Sequence, residues 1–440
     1  MFPPFDEALA FKYCKEIISL LEEKKLSLVY TTEKISAERF ANGIMIGVLV
    51  AKNSAQENKI FFTVSGISRK IEGKFQDAIF VEPIVSSKKI MSALQKNDKE
   101  IHLLTEKLKS CRKEEVQDLQ FRRSALTSES LEKVHELYSF YCFDGKNRSL
   151  KQICKNRLPP TGTGDCCAPK LLNFAFKNNL TPLSMCEVFY GKSTENKVSD
   201  CKYSPCDERC GLILPEILGL KILYLDNDLI VVNKQSGLLS VPGRGPEKQD
   251  CIVNRVKKLF PECIEQPSVH RLDMETSGLM ILAFTKDAHR NLCRQFEEGL
   301  VQKKYVALLD GILAKKGIPQ SGTMELYFRL DIENRPHQIW DSVYGKKAIT
   351  EWKILDVEKY LSPLENKKNV TRVLFIPHTG RTHQLRLASA DSHGFGIPII
   401  GDTLYGHCEP NERLMLHSCY IKFTHPSTGK IMEFNCESDF

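Results

Sequence analysis

Apolar and polar positions follow different rhythms along the chain. Between about Ser27 and Ser86 they alternate as strands do. Residues 43–51 and 60–66 are apolar, β-branched runs, and the polar stretch 52–59 between them predicts a hairpin or two neighbouring strands. From about Ser87 to Cys154 the spacing turns helical. Leu94, Ile101, Leu104, Leu108, Leu119 and Leu131 recur among lysines and glutamates, predicting a helical hairpin or short coiled coil. A loop-rich stretch follows, with a short helix expected over 171–179. After Pro215 the texture is that of a compact α+β domain. Val231-Val232-Asn233-Lys234 ends a strand, Met280-Ile281-Leu282-Ala283-Phe284 is a buried strand, and 286–300 is an amphipathic helix marked by Leu292, Phe296 and Leu300. The expected organisation is a β-rich region over 1–86, a charged helical region over 87–154, a cysteine-rich loop region over 155–214 and an α+β domain over 215–440.

Composition agrees with several domains. The chain has 440 residues, 42% hydrophobic and 27% charged, which is too long for one ordinary core and too apolar for general disorder. Lys+Arg 62 against Asp+Glu 55 leaves +7, a balance that permits a polyanionic partner without demanding one. No apolar run approaches the roughly 20 residues of a membrane span. The opening residues lack the basic-then-apolar order of a secretory signal, so a cytoplasmic chain with reduced cysteines, off the membrane, is expected. Oligomeric state is not legible.

Cysteine usage adds a question. Of 16 cysteines, Cys154, Cys166, Cys167, Cys186, Cys201, Cys206 and Cys210 crowd one short stretch. Thiolates at the spacings of Cys166, Cys167, Cys206 and Cys210 offer a structural Zn²⁺ site. The alternatives are small buried hydrophobes or a reactive thiol behind the glycine-rich turn before Cys166. That turn, Thr161-Gly162-Thr163-Gly164, lacks the Gly-Lys-Ser/Thr ending of a phosphate loop, so nucleotide binding is not expected.

The most informative stretch is His270-Arg271-Leu272-Asp273-Met274-Glu275-Thr276-Ser277-Gly278. Asp273 lies among turn-forming residues that can hold a carboxylate both accessible and fixed, and Arg271 would share its strand face. An aspartate beside an arginine is also how a salt-bridged cap looks, and these residues alone leave both readings open.

Other words extend the pattern in order. They are Val231-Val232-Asn233-Lys234-Gln235-Ser236-Gly237, Lys303-Lys304-Tyr305-Val306-Ala307, Thr379-Gly380-Arg381-Thr382-His383-Gln384-Leu385-Arg386 and Gly401-Asp402-Thr403-Leu404-Tyr405-Gly406. Together they resemble the RluA family of pseudouridine synthases over about 221–440, with Gln235 where the family usually has proline. The resemblance implies an α+β pseudouridine synthase fold, a mixed and largely antiparallel sheet with flanking helices and loops. It implies an isomerase that needs no cofactor and acts on a uridine of structured RNA, in 23S rRNA, a tRNA stem-loop or both. By correspondence Asp273 works at C1′, Arg386 pairs with it, and Tyr305 stacks on the uracil and assists loss of the C5 proton. Leu416 packs on the base from the other side. Arg271 fills the space left by the flipped base. Arg244, Lys303, Lys304, Arg381 and His383 contact phosphate or support the surrounding loop. A non-catalytic RNA-binding or ribosome-assembly factor on the same fold is the alternative. The first half is similar to long amino-terminal extensions of some bacterial members, including their Pro-Pro-Thr-Gly and Asp-Cys-Cys-Ala-Pro-Lys words, and is expected to be an accessory module that extends the RNA footprint.

Overall fold

The structure, a computed structural model, describes residues 5–30, 43–110, 115–154, 158–193, 195–206 and 208–440. Positions 31–42 of the strand-like stretch and 111–114 of the helical region lie outside the described residues. The chain divides into two compact units, Met1–Gly219 and Leu220–Phe440.

In the first unit Ile44–Lys52 and Asn58–Val64 are antiparallel neighbours. The turn between them is closed by the Asn53 side chain, whose Oδ1 accepts from the Glu57 amide at 2.9 Å. On its other side Ile44–Lys52 pairs with Thr181–Tyr190. The cysteine-rich stretch is therefore not simply loop: it supplies a ten-residue strand to the same sheet. It also supplies the helix Cys167–Lys177, which starts four residues before the expected one. Successive strand residues face opposite ways. Ile46 and Val48 meet the helix Ala8–Glu22 through Cys14 and Ile17, while a Cβ on Gly47 would stand 2.4 Å from that of Cys167 on the opposite face. The charged region forms two helices, Ser87–Ser110 and Val116–Glu136. They are joined by an Arg122–Glu100 pair at 3.0 Å and by Asn97 donating to the Leu126 carbonyl at 3.4 Å.

The second unit is built on a ten-stranded sheet. Its order runs Gln338–Trp340, Ser321–Leu330, Lys346–Leu361, Lys367–Pro377, Gln302–Leu309, Leu416–Thr424, Ser277–Ala283, Leu229–Lys234, Lys221–Leu225, with Ile431–Asn435 added beside Leu416–Thr424. Among the described residues Ser277–Ala283 pairs in parallel with Leu416–Thr424, and the other pairings of this sheet are antiparallel. That parallel contact is close: a Cβ on Gly278 would lie 2.3 Å from the Ser418 carbonyl oxygen, and Gly278 has φ +115°. The glycine of Thr-Ser-Gly is thus required by the strand crossing itself.

Every residue of Ser277–Ala283 is buried. Leu279 and Ile281 pack with Leu229, Val231 and Leu292, each such side chain contributing about 1.5–3 kcal/mol. The amphipathic helix runs Lys286–Glu297, capped by Thr285, whose hydroxyl accepts from the Ala288 amide at 3.2 Å. Leu300, expected on that helix, lies beyond its end and is 61% exposed. A second core gathers Trp352, Phe375, Leu385, Phe395 and Ile399. Arg271, Leu272 and Asp273 do not form a strand. They run through irregular backbone and reach the sheet only at Ser277.

Candidate active site

One cleft of about 280 Å³ opens between the 271–276 loop, Gln302–Leu309 and the 377–386 segment. That size is at the low end for ligand pockets, roughly 300–1,000 Å³, and suits one nucleoside better than a larger ligand. Asp273, Tyr305 and Leu416 line it together with Arg271, Lys303, Arg381, His383 and Arg386.

The Asp273 loop is stitched to the residues after Leu229–Lys234. Lys234 is fully buried, and its ammonium donates to the carbonyls of Leu238, Met274 and Gln235 at 2.7, 2.9 and 3.0 Å. Ser240 Oγ donates to the Leu272 carbonyl at 2.6 Å and accepts from the Leu272 amide at 3.0 Å. Ser236 Oγ donates to the Glu275 carbonyl at 2.6 Å. The backbone on both sides of Asp273 is therefore held by Lys234, Ser236 and Ser240. Burial pulls the Lys234 ammonium down to about 7, opposed by the charge of Asp273.

Arg386 differs from expectation. Only 2% exposed, it donates bidentately to buried Asp402, Nε to Oδ2 at 2.9 Å and Nη2 to Oδ1 at 2.5 Å. Its Nη2 also pairs with Glu275 at 2.8 Å. The direct partners are thus Asp402 and Glu275 rather than Asp273, because a planar guanidinium fork matches a carboxylate edge. Burial opposes its charge, but the hydrogen bonds and charge of Asp402, with Glu275 and Asp273, raise its pKa. Its charge reaches Asp273 through space, without an ion pair.

His383 stands beside Asp273, with Nε2 3.9 Å from Oδ1. It has φ +54° and stands at the N-cap of Gln384–Ala390. Tyr405 oxygen accepts from the Gln338 amide at 2.7 Å and lies 2.8 Å from His383 Nδ1. When the phenol donates to Nδ1, the ring proton sits on Nε2, facing Asp273. Burial lowers the pKa of His383, with Asp273 opposing, so the ring is neutral near pH 7. The Thr379–His383 turn is organised around Gln384, whose Oε1 accepts from Thr379 Oγ1 at 2.8 Å and the Arg381 amide at 2.9 Å. Arg381 Nε in turn donates to the Lys347 carbonyl at 3.0 Å.

Tyr305 pairs across the sheet with Phe375 and Ser418. Burial pushes its phenol up to about 12, and Asp273 adds to the shift. Lys303 faces the cleft with it, its pKa lowered by burial. Lys304 does not line the cleft, because its ammonium sits over the Tyr420 ring at 4.5 Å. Arg244 is on an exposed loop and does not line it either. His270 is a neutral scaffold. Its Nε2 accepts from the Ile281 amide at 2.9 Å, its ring stacks on Phe296, and burial lowers its pKa to about 3.

The family described as RNA pseudouridylate synthase matches residues 228–391. A Haemophilus influenzae protein named dual-specificity RNA pseudouridine synthase RluA is 45% identical over 224 residues, covering 50% of this chain and 94% of its own length. The chain belongs to the RluA family of RNA pseudouridine synthases. The Yersinia pestis protein of the same name is 42% identical over 50% of this chain and 99% of its own length. The Escherichia coli one is 40% identical over 51% and 96%. This RNA pseudouridine synthase is accordingly an isomerase with a long amino-terminal extension that those alignments leave uncovered.

In this synthase Lys234, Ser240, Glu275 and Asp402 are site residues that sequence reasoning did not single out, although all four stand inside or beside the ordered words. No helix among the described residues is long and apolar enough to cross a membrane. Of the four cysteines expected together, Cys166, Cys206 and Cys210 meet. Cys167 does not: its thiol points into the first unit's core toward the Met45 carbonyl at 3.5 Å. The backbone turns into the helix between the two residues, so their side chains diverge. Asp226, Asp228 and His425 also lie close together. There Asp226 is saturated by Tyr224, His425 and the amides of Asp228 and Leu229, which makes the group a turn-closing network.

Proposed function

We propose that the cleft holds a single uridine flipped out of a structured RNA and that Asp273 acts at its C1′. The supporting observation is the convergence of one backbone-fixed carboxylate with an aromatic ring and an aliphatic side chain, Tyr305 and Leu416, in a nucleoside-sized cleft. The C1′–N1 bond breaks, with Asp273 either adding to C1′ or stabilising the oxocarbenium-like centre. The uracil turns over, C1′ bonds to C5 as any Asp273–C1′ bond breaks, the C5 proton leaves and N1 takes up a proton. No redox or group-transfer partner is required. With its pKa near 12, Tyr305 enters as a neutral phenol. It stacks on the uracil and can take the C5 proton only in step with losing its own. Arg386 holds Glu275 and Asp402 in place beside the cleft. Arg271, exposed at the rim, fills the vacated stack. Lys303 and Arg381 meet phosphates.

The substrates proposed are stem-loops, where flipping costs least, in 23S rRNA, tRNA or both in the cytoplasm. The relatives' dual-specificity name supports more than one RNA. The amino-terminal unit extends the RNA footprint. Pseudouridine mapping across cellular RNA with and without the gene, and with an Asp273→Asn allele, tests the reading. Sites lost in both strains support it, and sites retained in the Asp273→Asn strain refute it.

A further inference from the structure

The amino-terminal unit holds a thiol cluster that the isomerase chemistry does not use. The Sγ atoms of Cys166, Cys206 and Cys210 all lie within 4.8 Å of one another. Cys206 and Cys210 stand 3.8 Å apart. A disulfide needs about 2.0 Å. Two thiolates on a tetrahedral zinc ion, each bonded at about 2.3 Å, stand about 3.8 Å apart.

Other cysteines of the chain behave differently. The thiols of Cys14, Cys142 and Cys167 are directed at backbone carbonyls and act as small buried hydrophobes. The three clustered sulfurs instead face one another, and they come from two separate parts of the chain. Cys166 caps the helix Cys167–Lys177 without a side-chain capping bond. Cys210 is the first residue of the helix Cys210–Leu218. Cys206 belongs to the loop before that helix, held by the Gly211 amide donating to its carbonyl at 3.0 Å. Forty residues separate Cys166 from Cys206, so the fold and not local spacing brings them together. Burial is graded: Cys210 is buried, Cys166 half-buried and Cys206 exposed. One side of the cluster is therefore open to solvent.

We propose that Cys166, Cys206 and Cys210 bind one zinc ion, with water in the fourth position on the Cys206 side, tying the starts of two helices to the loop between them. Three thiolates and Zn²⁺ sum to −1, and Asp165 and Arg209 both act electrostatically on Cys166, in opposite senses. The ion fixes the end of the amino-terminal unit, and the isomerase chemistry does not route through it.

The test uses the full-length chain purified under reducing conditions, with zinc quantified by mass spectrometry. The expected result is one zinc per chain, lost to background in Cys206→Ser and Cys210→Ser and retained in Cys201→Ser, an exposed thiol outside the cluster. Exchange with Co²⁺ should give the intense d–d and sulfur-to-cobalt bands of a tetrahedral thiolate site. Zinc retained in Cys206→Ser would overturn the proposal. So would a folded wild-type chain that carries no zinc and takes up no Co²⁺, or a Cys206–Cys210 disulfide under those conditions. If Cys206→Ser fails to fold, Co²⁺ titration of the reduced wild-type chain decides: saturation at one equivalent with thiolate bands supports the site, and their absence refutes it.

Discussion

Replacing Lys234 with methionine removes one ammonium and leaves the side-chain length nearly unchanged. In the structure that ammonium satisfies three carbonyls, that of Leu238 in a buried bond and those of Gln235 and Met274 in part-buried ones. The Met274 oxygen would keep the Gly237 amide as donor at 2.9 Å, while those of Gln235 and Leu238 would lose Lys234. An unsatisfied buried carbonyl costs about 1–3 kcal/mol. Relief from burying an ammonium offsets part of this, leaving a net loss of roughly 2–4 kcal/mol. For a unit of this size that corresponds to a fall in Tm of about 5–15 °C. The second consequence is catalytic, because Lys234 fixes Met274, the residue next to Asp273. A displacement of the carboxylate by about 1 Å lowers kcat about a hundredfold. RNA affinity should change little, since a buried lysine touches no phosphate. Tritium release from C5-labelled RNA under single-turnover conditions, with a binding assay alongside, separates the two effects. Normal turnover with unchanged Tm would refute both parts of the reasoning. A lowered Tm with normal turnover would refute the positioning role.

Three further outcomes follow from the same geometry. His270 is held neutral with a folded pKa of about 3 against 6.5 for the free side chain. Between those values the unfolded chain binds a proton that the folded one excludes, so stability falls as pH drops below about 6.5. The loss is roughly 2 kcal/mol at pH 5; denaturant titrations should show this slope, and a folded His270→Gln variant should lack it. Asp402→Ala strips the bidentate partner from buried Arg386 and should cost about 3–5 kcal/mol, read by thermal unfolding; a change within error would mean that Glu275 alone suffices. A chain beginning at Leu220 should still isomerise a minimal stem-loop but bind long structured RNA more weakly, and filter binding that finds equal affinity would remove the footprint role from the first unit.

Much of the site was legible because its residues stand in short ordered words. Asp273, Tyr305, His383 and Arg386 each sit at a fixed place in one of them, and the fold brings them to one cleft. What local pattern does not encode is pairing across the fold. Arg386 meets Asp402 and Glu275, at sequence separations that no periodicity predicts. Lys234 reads as a strand end, yet it works as a buried tie to Met274, forty residues on. Neighbouring residues were hard to separate for the same reason. Lys303 and Lys304 look equivalent as charges, but only Lys303 lines the cleft, while Lys304 lies over Tyr420. Cys166 and Cys167 part because one caps a helix and the other begins it, and the helix start lay four residues earlier than the apolar spacing suggested. In the cysteine-rich stretch, turn-forming residues and thiols masked the strand Thr181–Tyr190, whose partner Ile44–Lys52 lies far away in sequence.

The most direct measurement is single-turnover pseudouridine formation by Asp273→Asn beside the wild-type chain, on an RNA that both bind. Asparagine keeps the size of the side chain and leaves the backbone bonds of Leu272 and Met274 untouched. RNA binding and thermal stability should match the wild type, with pseudouridine at background. Turnover near the wild-type rate would contradict the action of Asp273 at C1′.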